Sequence, residues 1–239
     1  MTAYRYQGTE LDLFQHAVNW KRYYGAALAP HIAGAVLEVG AGIGGTAPFL
    51  VNSSVSSWTC LEPDTALASR LDARLAAEPL QTPTHVVCGT VASLQPDTQF
   101  DTALYIDVLE HIESDASELE QISGHIAPGG HLIVLAPAHN WLFSPFDRAV
   151  GHFRRYSKAS LISVSPSSMR LVRVFYLDCV GMLASAANRA LLRSPYPTRA
   201  QIRFWDSVLV RASRFLDPVT FNRVGKTVVA IWTRQPDRR

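Results

Sequence analysis

The sequence predicts an α/β fold in which helices cover both faces of a mostly parallel β-sheet. Short apolar runs alternate with helical stretches along the first part of the chain, and only short loops separate them. A glycine-rich loop follows the first apolar run, as it does where a strand leads into a ligand-binding turn. This alternation favours parallel strands, because each helix returns the chain to the same edge of the sheet through a right-handed crossover.

The individual elements follow from hydrophobic periodicity. Strands are predicted at 35–39, 57–61, 84–88, 102–106, 131–136, 171–177 and 226–233, which makes seven. Helices are predicted at 9–29, 46–52, 65–77, 114–125, 180–192 and 198–216. Residues 139–156 are polar and aromatic without a clear period, which indicates a functional loop.

The composition indicates that residues 1–239 form a single domain with a full core. Of the 239 residues, 48% are hydrophobic and 18% are charged, and the net charge of +2 is too mild to indicate nucleic acid as a partner. The three cysteines lack metal-type spacing, so we expect reduced thiols in a cytoplasmic protein, with Cys60 and Cys88 in the core. We expect no signal peptide and no transmembrane segment, because no apolar run is long enough.

The segment 36–45, VLEVGAGIGG, carries the first functional signal. Its glycines let backbone N–H groups approach a ligand, and Glu38 lies among apolar neighbours, where a buried acid needs a partner. A cationic, nucleotide-bearing cofactor fits both features. Gly40, Gly42 and Gly45 also satisfy G-x-G-x-x-G, so this segment by itself equally fits an NAD-dependent dehydrogenase. Glu62, at the tip of the second predicted strand, suits the hydroxyls of a ribose.

Four features in order separate these alternatives. Glu38 precedes the glycine loop, Glu62 follows the second strand, Asp107 ends the fourth, and the turn 128–130, Pro-Gly-Gly, introduces the fifth. In this combination residues 36–136 resemble the class I S-adenosylmethionine-dependent methyltransferases. The resemblance implies a Rossmann-like seven-stranded sheet with an antiparallel last strand, and S-adenosylmethionine as the cofactor.

Beyond residue 136 the chain is similar to a bacterial small-molecule subgroup that is often associated with glycosyltransferases. The similarity lies in 137–139, 146–148 and 151–157 and in the opening 10–23. It implies an N-terminal helical lid at 1–34, a cofactor-binding core at 36–136, a substrate loop at 137–169 and a helical elaboration at 180–222. The implied function is methyl transfer to an oxygen or nitrogen of a small, anionic or sugar-linked acceptor.

The resemblance also implies a set of cofactor-binding residues. They lie on the glycine loop, after strands two to four and on the first helix: Glu38, Gly40, Ala41, Gly42, Glu62, Pro63, Thr90, Val91, Asp107, Val108 and Trp20. Glu38 would hold the loop or meet the methionine ammonium through water. Thr90 stands where many relatives have an acid, so adenine recognition would rest on the backbone there. Tyr4, Tyr6 and Trp20 would form a lid or pack the N-terminal helix.

Three histidines are candidate catalytic residues, because an imidazole suits proton transfer at neutral pH. His152 ranks above His139, and His111 has a structural alternative as a helix cap. The adjacent Arg154, Arg155 and Tyr156 are candidate substrate-binding residues, since paired guanidinium groups suit carboxylate or phosphate. The alternative is that both arginines form internal ion pairs, one of them with Asp147.

Several further alternatives stay open at this stage. Asp107, Glu110, His111 and His152 resemble the metal site of some methyltransferases, although we expect no metal here. The basic, aromatic C-terminal helices would cap the cavity, form a homodimer face or contact a membrane. The competing functions are another reaction of the same cofactor, such as cyclisation or alkyl transfer, and a non-catalytic partner subunit.

Overall fold

Seven strands form one mixed sheet, as the sequence predicts. The computed structural model describes Tyr6, Gly8, residues 11–187 and residues 197–235. The strands are β1 (Gly34–Val39), β2 (Val55–Glu62), β3 (Thr84–Cys88), β4 (Phe100–Ile106), β5 (Ile126–Pro137), β6 (Met169–Leu177) and β7 (Thr227–Arg234). Their order across the sheet is β3-β2-β1-β4-β5-β7-β6, with β1 to β5 parallel and β7 antiparallel to both of its neighbours. The prediction of a mostly parallel sheet with an antiparallel last strand is confirmed.

Helices lie on both faces of this sheet. Within the described residues they are α1 (Leu11–Phe14), α2 (Val18–Leu28), α3 (Thr65–Ala77), α4 (Asp115–Ser123), α5 (Pro145–Ala149), α6 (Lys158–Ser163), α7 (Cys179–Ala187), α8 (Arg199–Phe204) and α9 (Val210–Val219). A π-helical turn, Trp205–Leu209, joins α8 to α9. No helix of the described residues is long and apolar enough to cross a membrane. Tyr4 of the expected lid and the end of the helix predicted at 180–192 lie outside the described residues.

Two apolar cores sandwich the sheet, because successive side chains of a strand point to opposite faces. On β4, Leu104 packs into one core and Tyr105 into the other. On β1, Val36 packs with the first core and Leu37 with the second. Since β1 and β4 are neighbours in the middle of the sheet, their buried runs must be apolar on both faces, as parallel strands require.

The chain direction across the sheet reverses between β1 and β4. From β1 the chain moves outward to β2 and β3, and it then returns to β4 on the other side of β1 before continuing to β5. Loops leaving the carboxyl ends of β1 and β4 therefore separate to opposite faces and leave a crevice between them. The predicted acids lie at this edge, where Glu62 ends β2 and Asp107 directly follows β4.

Two predicted helices are wrong in extent. The segment 46–52 forms only a 3-10 turn, Ala47–Phe49. The helix predicted at 9–29 is broken into α1 and α2. The carboxylate of Asp206 accepts from the backbone N–H of Asn19 at 3.2 Å and of Trp20 at 2.8 Å. A distant acid therefore caps α2 and fixes where it begins.

Two smaller expectations also need correction. The turn at 128–130 lies inside β5 as a bulge, because the pairing moves from Phe100 opposite Ile126 to Thr102 opposite His131. Of the two cysteines placed in the core, Cys60 is buried and Cys88 is exposed. Cys88 ends the edge strand β3, whose outer side has no neighbour in the sheet.

Buried aspartates tie the C-terminal helices to the rest of the fold. Asp217 on α9 is fully buried and accepts from the Tyr23 hydroxyl at 2.6 Å and from the backbone N–H groups of Asp178 and Cys179 at 2.6 and 2.9 Å. Asp178 in turn accepts from the Trp205 indole N–H at 2.7 Å and the Ser213 hydroxyl at 2.6 Å. These bonds join α2, β6, α7 and α9.

Replacing Asp217 by alanine should lower the free energy of unfolding by about 3 kcal/mol, because two buried donors and one half-buried donor lose a charged acceptor. Urea denaturation followed by tryptophan fluorescence measures the change. The control is Asp97→Ala, at an exposed position, which should shift the stability by less than about 0.5 kcal/mol. Equal losses in the two variants would show that the Asp217 hydrogen bonds are not what stabilises this region.

Candidate functional site

A cavity of about 1730 Å³ opens at the carboxyl ends of β1, β2 and β4. It exceeds the roughly 300–1,000 Å³ of an ordinary ligand pocket, so it has room for two ligands side by side. The glycine loop and Glu62 line one part of it, and the segment 142–155 lines another. Residues of α7 and α8 complete the wall.

The glycine loop presents bare backbone to this cavity. Gly40 has a φ of +66° and Gly42 a φ of +56°, conformations that favour glycine. A Cβ on Gly40 would lie 2.6 Å from Cγ2 of Val108, so no side chain fits there. The backbone N–H of Gly40 donates to the carbonyl of Leu61 at 2.8 Å, which fixes the loop against β2. The loop is a rigid cradle that a ligand can approach closely.

Glu62 is the polar group that supports this cradle. One carboxylate oxygen accepts from the N–H of Gly42 at 2.8 Å, and the other accepts from the N–H of Asp64 at 2.9 Å. Burial raises the pKa of Glu62, while these two backbone donors lower it. Because it also lines the cavity, its remaining lone pairs face a ligand as acceptors for hydroxyl groups.

Glu38 is placed behind the loop, and it does not line the cavity. Its carboxylate accepts from the indole N–H of Trp58 at 2.9 Å, and burial raises its pKa to about 7. The sequence implies two roles for Glu38, support of the loop or contact with the methionine ammonium. Its position behind the loop suits the first role, because Glu38 is absent from the cavity wall. The positive charge of the buried Lys21 acts in the opposite direction to burial and lowers the pKa of Glu38. Burial in turn lowers the pKa of Lys21 to about 8.

All the other predicted cofactor-binding residues line the cavity together. They are Gly40, Ala41, Gly42, Glu62, Pro63, Thr90, Val91, Asp107, Val108 and Trp20. Tyr6 of the expected lid also lines it. Asp107 has a φ of +54° and an accessible side chain on the cavity wall, where the surrounding protein raises the pKa of its carboxyl to about 6. One continuous surface therefore joins the carboxyl ends of β1, β2, β3 and β4.

His111 and His152 face each other across the second part of the cavity. Their ring centroids are 4.5 Å apart, and both residues line the wall. His152 Nδ1 lies 2.9 Å from Oδ1 of Asp147, and its Nε2 lies 3.8 Å from Oε1 of Glu110. Burial, with the neighbouring His152, lowers the pKa of His111 to about 4, so this ring is neutral at pH 7. The carboxylate of Asp147 orients His152 and leaves Nε2 for the cavity.

Glu110 is a buried acid without a hydrogen-bond partner among the described residues. Both of its carboxylate oxygens are buried, and burial together with Asp107 raises its pKa well above the usual range. Ligand atoms of Glu110, His111 and His152 lie within 4.8 Å of one another, so these three residues could hold a metal ion. Asp107, the fourth ligand of the sequence alternative, is outside this group.

His139 is placed away from the other two candidate histidines. Its Nε2 lies 3.0 Å from the carbonyl oxygen of Gly225, and its ring packs 4.8 Å from that of Tyr176. It is absent from the residues that line the large cavity. The structure brings His111 and His152 together and leaves His139 in contact with the backbone after α9.

Both arginines of the expected anion site are paired with acids, which is the alternative that the sequence leaves open. Arg155 binds Asp147 through Nε at 2.7 Å and Nη2 at 2.9 Å. Arg154 pairs with Asp115 and donates to the carbonyl of Glu113 at 2.7 Å. The Tyr156 hydroxyl is buried and donates to Asp115 at 2.6 Å. Of the three, Arg155 alone lines the large cavity.

Comparisons with known proteins agree with this geometry. Residues 37–132 match the family model of a methyltransferase domain. Solved structures of similar fold include an S-adenosylmethionine-dependent methyltransferase from Clostridium acetobutylicum, with 9% identity, a TM-score of 0.58 and 92% of each chain covered. No curated protein matches the sequence significantly.

Residues 37–132 are a methyltransferase domain, and the described chain has the fold of S-adenosylmethionine-dependent methyltransferases. Two further structures share the fold of this methyltransferase. The N-methyltransferase NodS from Bradyrhizobium japonicum has 12% identity and a TM-score of 0.57, over 95% of this chain and 99% of that chain. The cyclase SpnF has 15% identity and a TM-score of 0.61, over 95% of this chain and 94% of that chain.

The residues of the methyltransferase fit S-adenosylmethionine, the methyl donor of this fold family. The glycine loop lines the cavity with backbone, and Glu62 offers acceptors beside it that suit ribose hydroxyls. Pro63, Thr90 and Val91 form the wall next to Glu62, where the adenine would lie. The same surface then reaches Asp107, where the methionine end would lie.

Sequence reasoning missed two residues of this methyltransferase's cavity. The sequence indicates Asp147 as a partner of an arginine, and the structure shows that it also contacts His152. The sequence signal for this residue is the Ser144-x-x-Asp147 capping pattern. Lys226 lines the cavity with its Nζ 3.6 Å from Asp178 and 3.9 Å from the ring centroid of Trp205. No local pattern marks Lys226, because its partners lie in distant segments.

Replacing Glu62 by glutamine should weaken S-adenosylhomocysteine binding about tenfold to a hundredfold, because an amide cannot accept from both backbone donors and a ribose. Isothermal titration calorimetry measures the dissociation constant. Gly42→Trp should abolish binding, since the backbone there has a positive φ and the side chain would enter the cavity.

The matched control for this measurement is Glu78→Gln, an exposed glutamate outside the cavity, which should bind as the wild type does. Unchanged affinity in Glu62→Gln would remove Glu62 from the cofactor site.

Proposed function

We propose that this methyltransferase methylates an oxygen or nitrogen of a small acceptor and that His152, oriented by Asp147, removes the acceptor proton. The observation that carries the proposal is the contact between His152 Nδ1 and Asp147 at 2.9 Å, which aims Nε2 at the same cavity that the glycine loop lines. Bound S-adenosylmethionine would supply an electrophilic sulfonium methyl group.

Asp147 is suited to orient a base. Its pKa lies well below the usual range, because His152, Arg155 and Ser144 bond to its carboxylate. It therefore stays ionised, and its charge would stabilise the imidazolium that forms when His152 accepts a proton. The proton moves from the acceptor O–H or N–H to Nε2 of His152, and the acceptor lone pair becomes free to form the new bond to carbon.

The surrounding residues hold the acceptor and limit water. Phe143, Phe146 and Phe153 line the cavity beside His152, and an apolar wall of this kind excludes solvent from the transfer. His111 is neutral and packs against His152, so it adds a polar edge without competing positive charge. Holding acceptor and methyl group in line contributes much of the rate.

The acceptor is a small molecule, and we propose a sugar-linked or anionic one on the basis of the subgroup resemblance. With Arg154 and Arg155 both bonded to acids, recognition of an anion would fall to other cations of the wall, such as Arg148. A panel of sugars, sugar phosphates, phenols and amines, assayed by release of S-adenosylhomocysteine, tests this class. Turnover confined to uncharged phenols or amines would contradict it.

A different reaction of the same fold is the second candidate, because the cyclase SpnF is among the structures of similar fold. Mass spectrometry of the products separates the two. Methyl transfer yields S-adenosylhomocysteine and an acceptor heavier by one methylene, whereas alkyl transfer yields methylthioadenosine and cyclisation leaves the acceptor mass unchanged. A non-catalytic subunit would yield no product with any member of the panel.

His152→Gln should lower kcat by about 10²- to 10⁴-fold while S-adenosylhomocysteine affinity stays within twofold, because glutamine keeps a polar group but cannot accept the proton at neutral pH. The matched control is His139→Gln, a histidine outside the cavity wall, which should retain most of the activity. If both variants keep wild-type kcat, His152 is not the base.

Chelation provides a separate test of how the proton is removed. We expect EDTA to leave kcat unchanged, because the proposed proton transfer runs from the acceptor to His152 and requires no metal ion. The measurement is turnover before and after dialysis against EDTA, with added Mg²⁺, Mn²⁺ or Zn²⁺ in separate samples. Loss of turnover that a divalent ion restores would assign Glu110, His111 and His152 to a metal instead.

A further inference from the structure

The C-terminal helices expose apolar side chains that the proposed reaction does not use. The largest lie on α8, the π-helical turn, α9 and the turn that follows: Phe204, Val208, Phe215, Leu216, Val219 and Phe221. Phe215 is 76% exposed and Phe221 is 77% exposed, values that are unusual for phenylalanine. We call the exposed residues of 199–224 the outer helical face. An apolar surface of this kind marks an interaction site.

The charges of the outer helical face have a single sign. Its exposed charged residues are Arg199, Arg203, Arg211, Arg214 and Arg223. Both acids of this segment, Asp206 and Asp217, are buried and bonded inward. None of the five arginines forms an ion pair with any described residue, so their charges are available to an outside partner.

Helix α9 arranges these residues as an amphipathic surface. Val210, Ser213 and Asp217 face inward and are buried. Arg211, Phe215 and Val219 follow at intervals of four residues, so they share one outward strip, with Arg214 beside it. Apolar side chains next to arginines on one helix face are typical of a helix that lies in the interface of a bilayer.

We propose that the outer helical face docks on the surface of an anionic phospholipid membrane. The phenylalanines would enter the boundary between headgroups and acyl chains, and the arginines would bind the phosphates. A second copy of this chain is a poor occupant, because a two-fold contact would set arginine against arginine with no exposed acid to pair them. An anionic bilayer offers negatively charged phosphates to the arginines and an apolar acyl-chain region to the phenylalanines.

The outer helical face adjoins the cavity. Phe204 is 57% exposed and also lines the cavity. On α7, Leu183 is exposed while Ala184 and Ala187 line the cavity wall. Docking would therefore bring one wall of the cavity next to the lipid. The docking itself is independent of the proposed methyl transfer.

Vesicle co-sedimentation tests the proposal with the full chain. The wild type should sediment with vesicles of equal phosphatidylcholine and phosphatidylglycerol, should stay in solution with phosphatidylcholine alone, and should be released by high salt. Arg211→Gln/Arg214→Gln should lower the partition coefficient about 30-fold, since each arginine contributes near the surface. Phe215→Ser/Val219→Ser should lower it at least tenfold, because the apolar anchor is lost.

The matched control is Arg170→Gln/Arg173→Gln, which removes the same charge from exposed positions of the edge strand β6 and should bind within about threefold of the wild type. Retained S-adenosylhomocysteine binding shows that each variant is folded. Equal losses in both arginine pairs, or no binding of the wild type to anionic vesicles, would overturn the proposal. A wild-type dimer in light scattering that Phe215→Ser/Val219→Ser converts to monomer would also overturn it, in favour of a second copy.

Discussion

One buried carboxylate, that of Asp147, shapes the acceptor side of the cavity. It accepts from Ser144 through both the backbone N–H and the hydroxyl at 2.7 Å, contacts His152 at 2.9 Å and binds the guanidinium of Arg155 through two bonds. A fully buried charge is costly unless both of its oxygens are bonded, so the loop must bring all three partners to it. The same requirement that satisfies Asp147 also fixes the direction of His152 and removes Arg155 from the set of free anion-binding groups.

On the opposite side of the cavity, backbone groups form the binding surface in place of side chains. The glycine loop has positive φ values at Gly40 and Gly42, and Glu62 holds it through a hydrogen bond from the backbone of Gly42. A cradle of this kind recognises the part of a cofactor that is common to every reaction of the fold. The side-chain network around Asp147 faces the part of the cavity where acceptors would differ. One half of the site therefore suits the cofactor, which is the same in every reaction of the fold, and the other half suits the acceptor, which varies.

The fold was largely predictable because its strongest signals are local. The strands at 35–39 and 102–106 differ from the observed β1 and β4 only at their amino ends, since apolar runs of that length must be buried on both faces. The break between α1 and α2 was not predictable, because its cause is Asp206, 187 residues away from Asn19. The failed helix at 46–52 is a local error, because the segment forms a single 3-10 turn, Ala47–Phe49, which is too short to propagate as an α-helix.

The sequence by itself determined where the strands lie along the chain, the glycine cradle and the acids at the ends of β2 and β4, because parallel strands carry their carboxyl ends to one edge. It also supplied three candidate histidines, with His152 ranked above His139. Only the tertiary structure showed which of them lie together, since it placed His111 and His152 in one cavity and bonded His139 to the carbonyl of Gly225. It likewise paired Arg154 and Arg155 with acids 39 and 8 residues away, at Asp115 and Asp147. Residue types along the chain determine which charges exist, whereas the pairing of buried charges depends on contacts that form only when distant segments pack together.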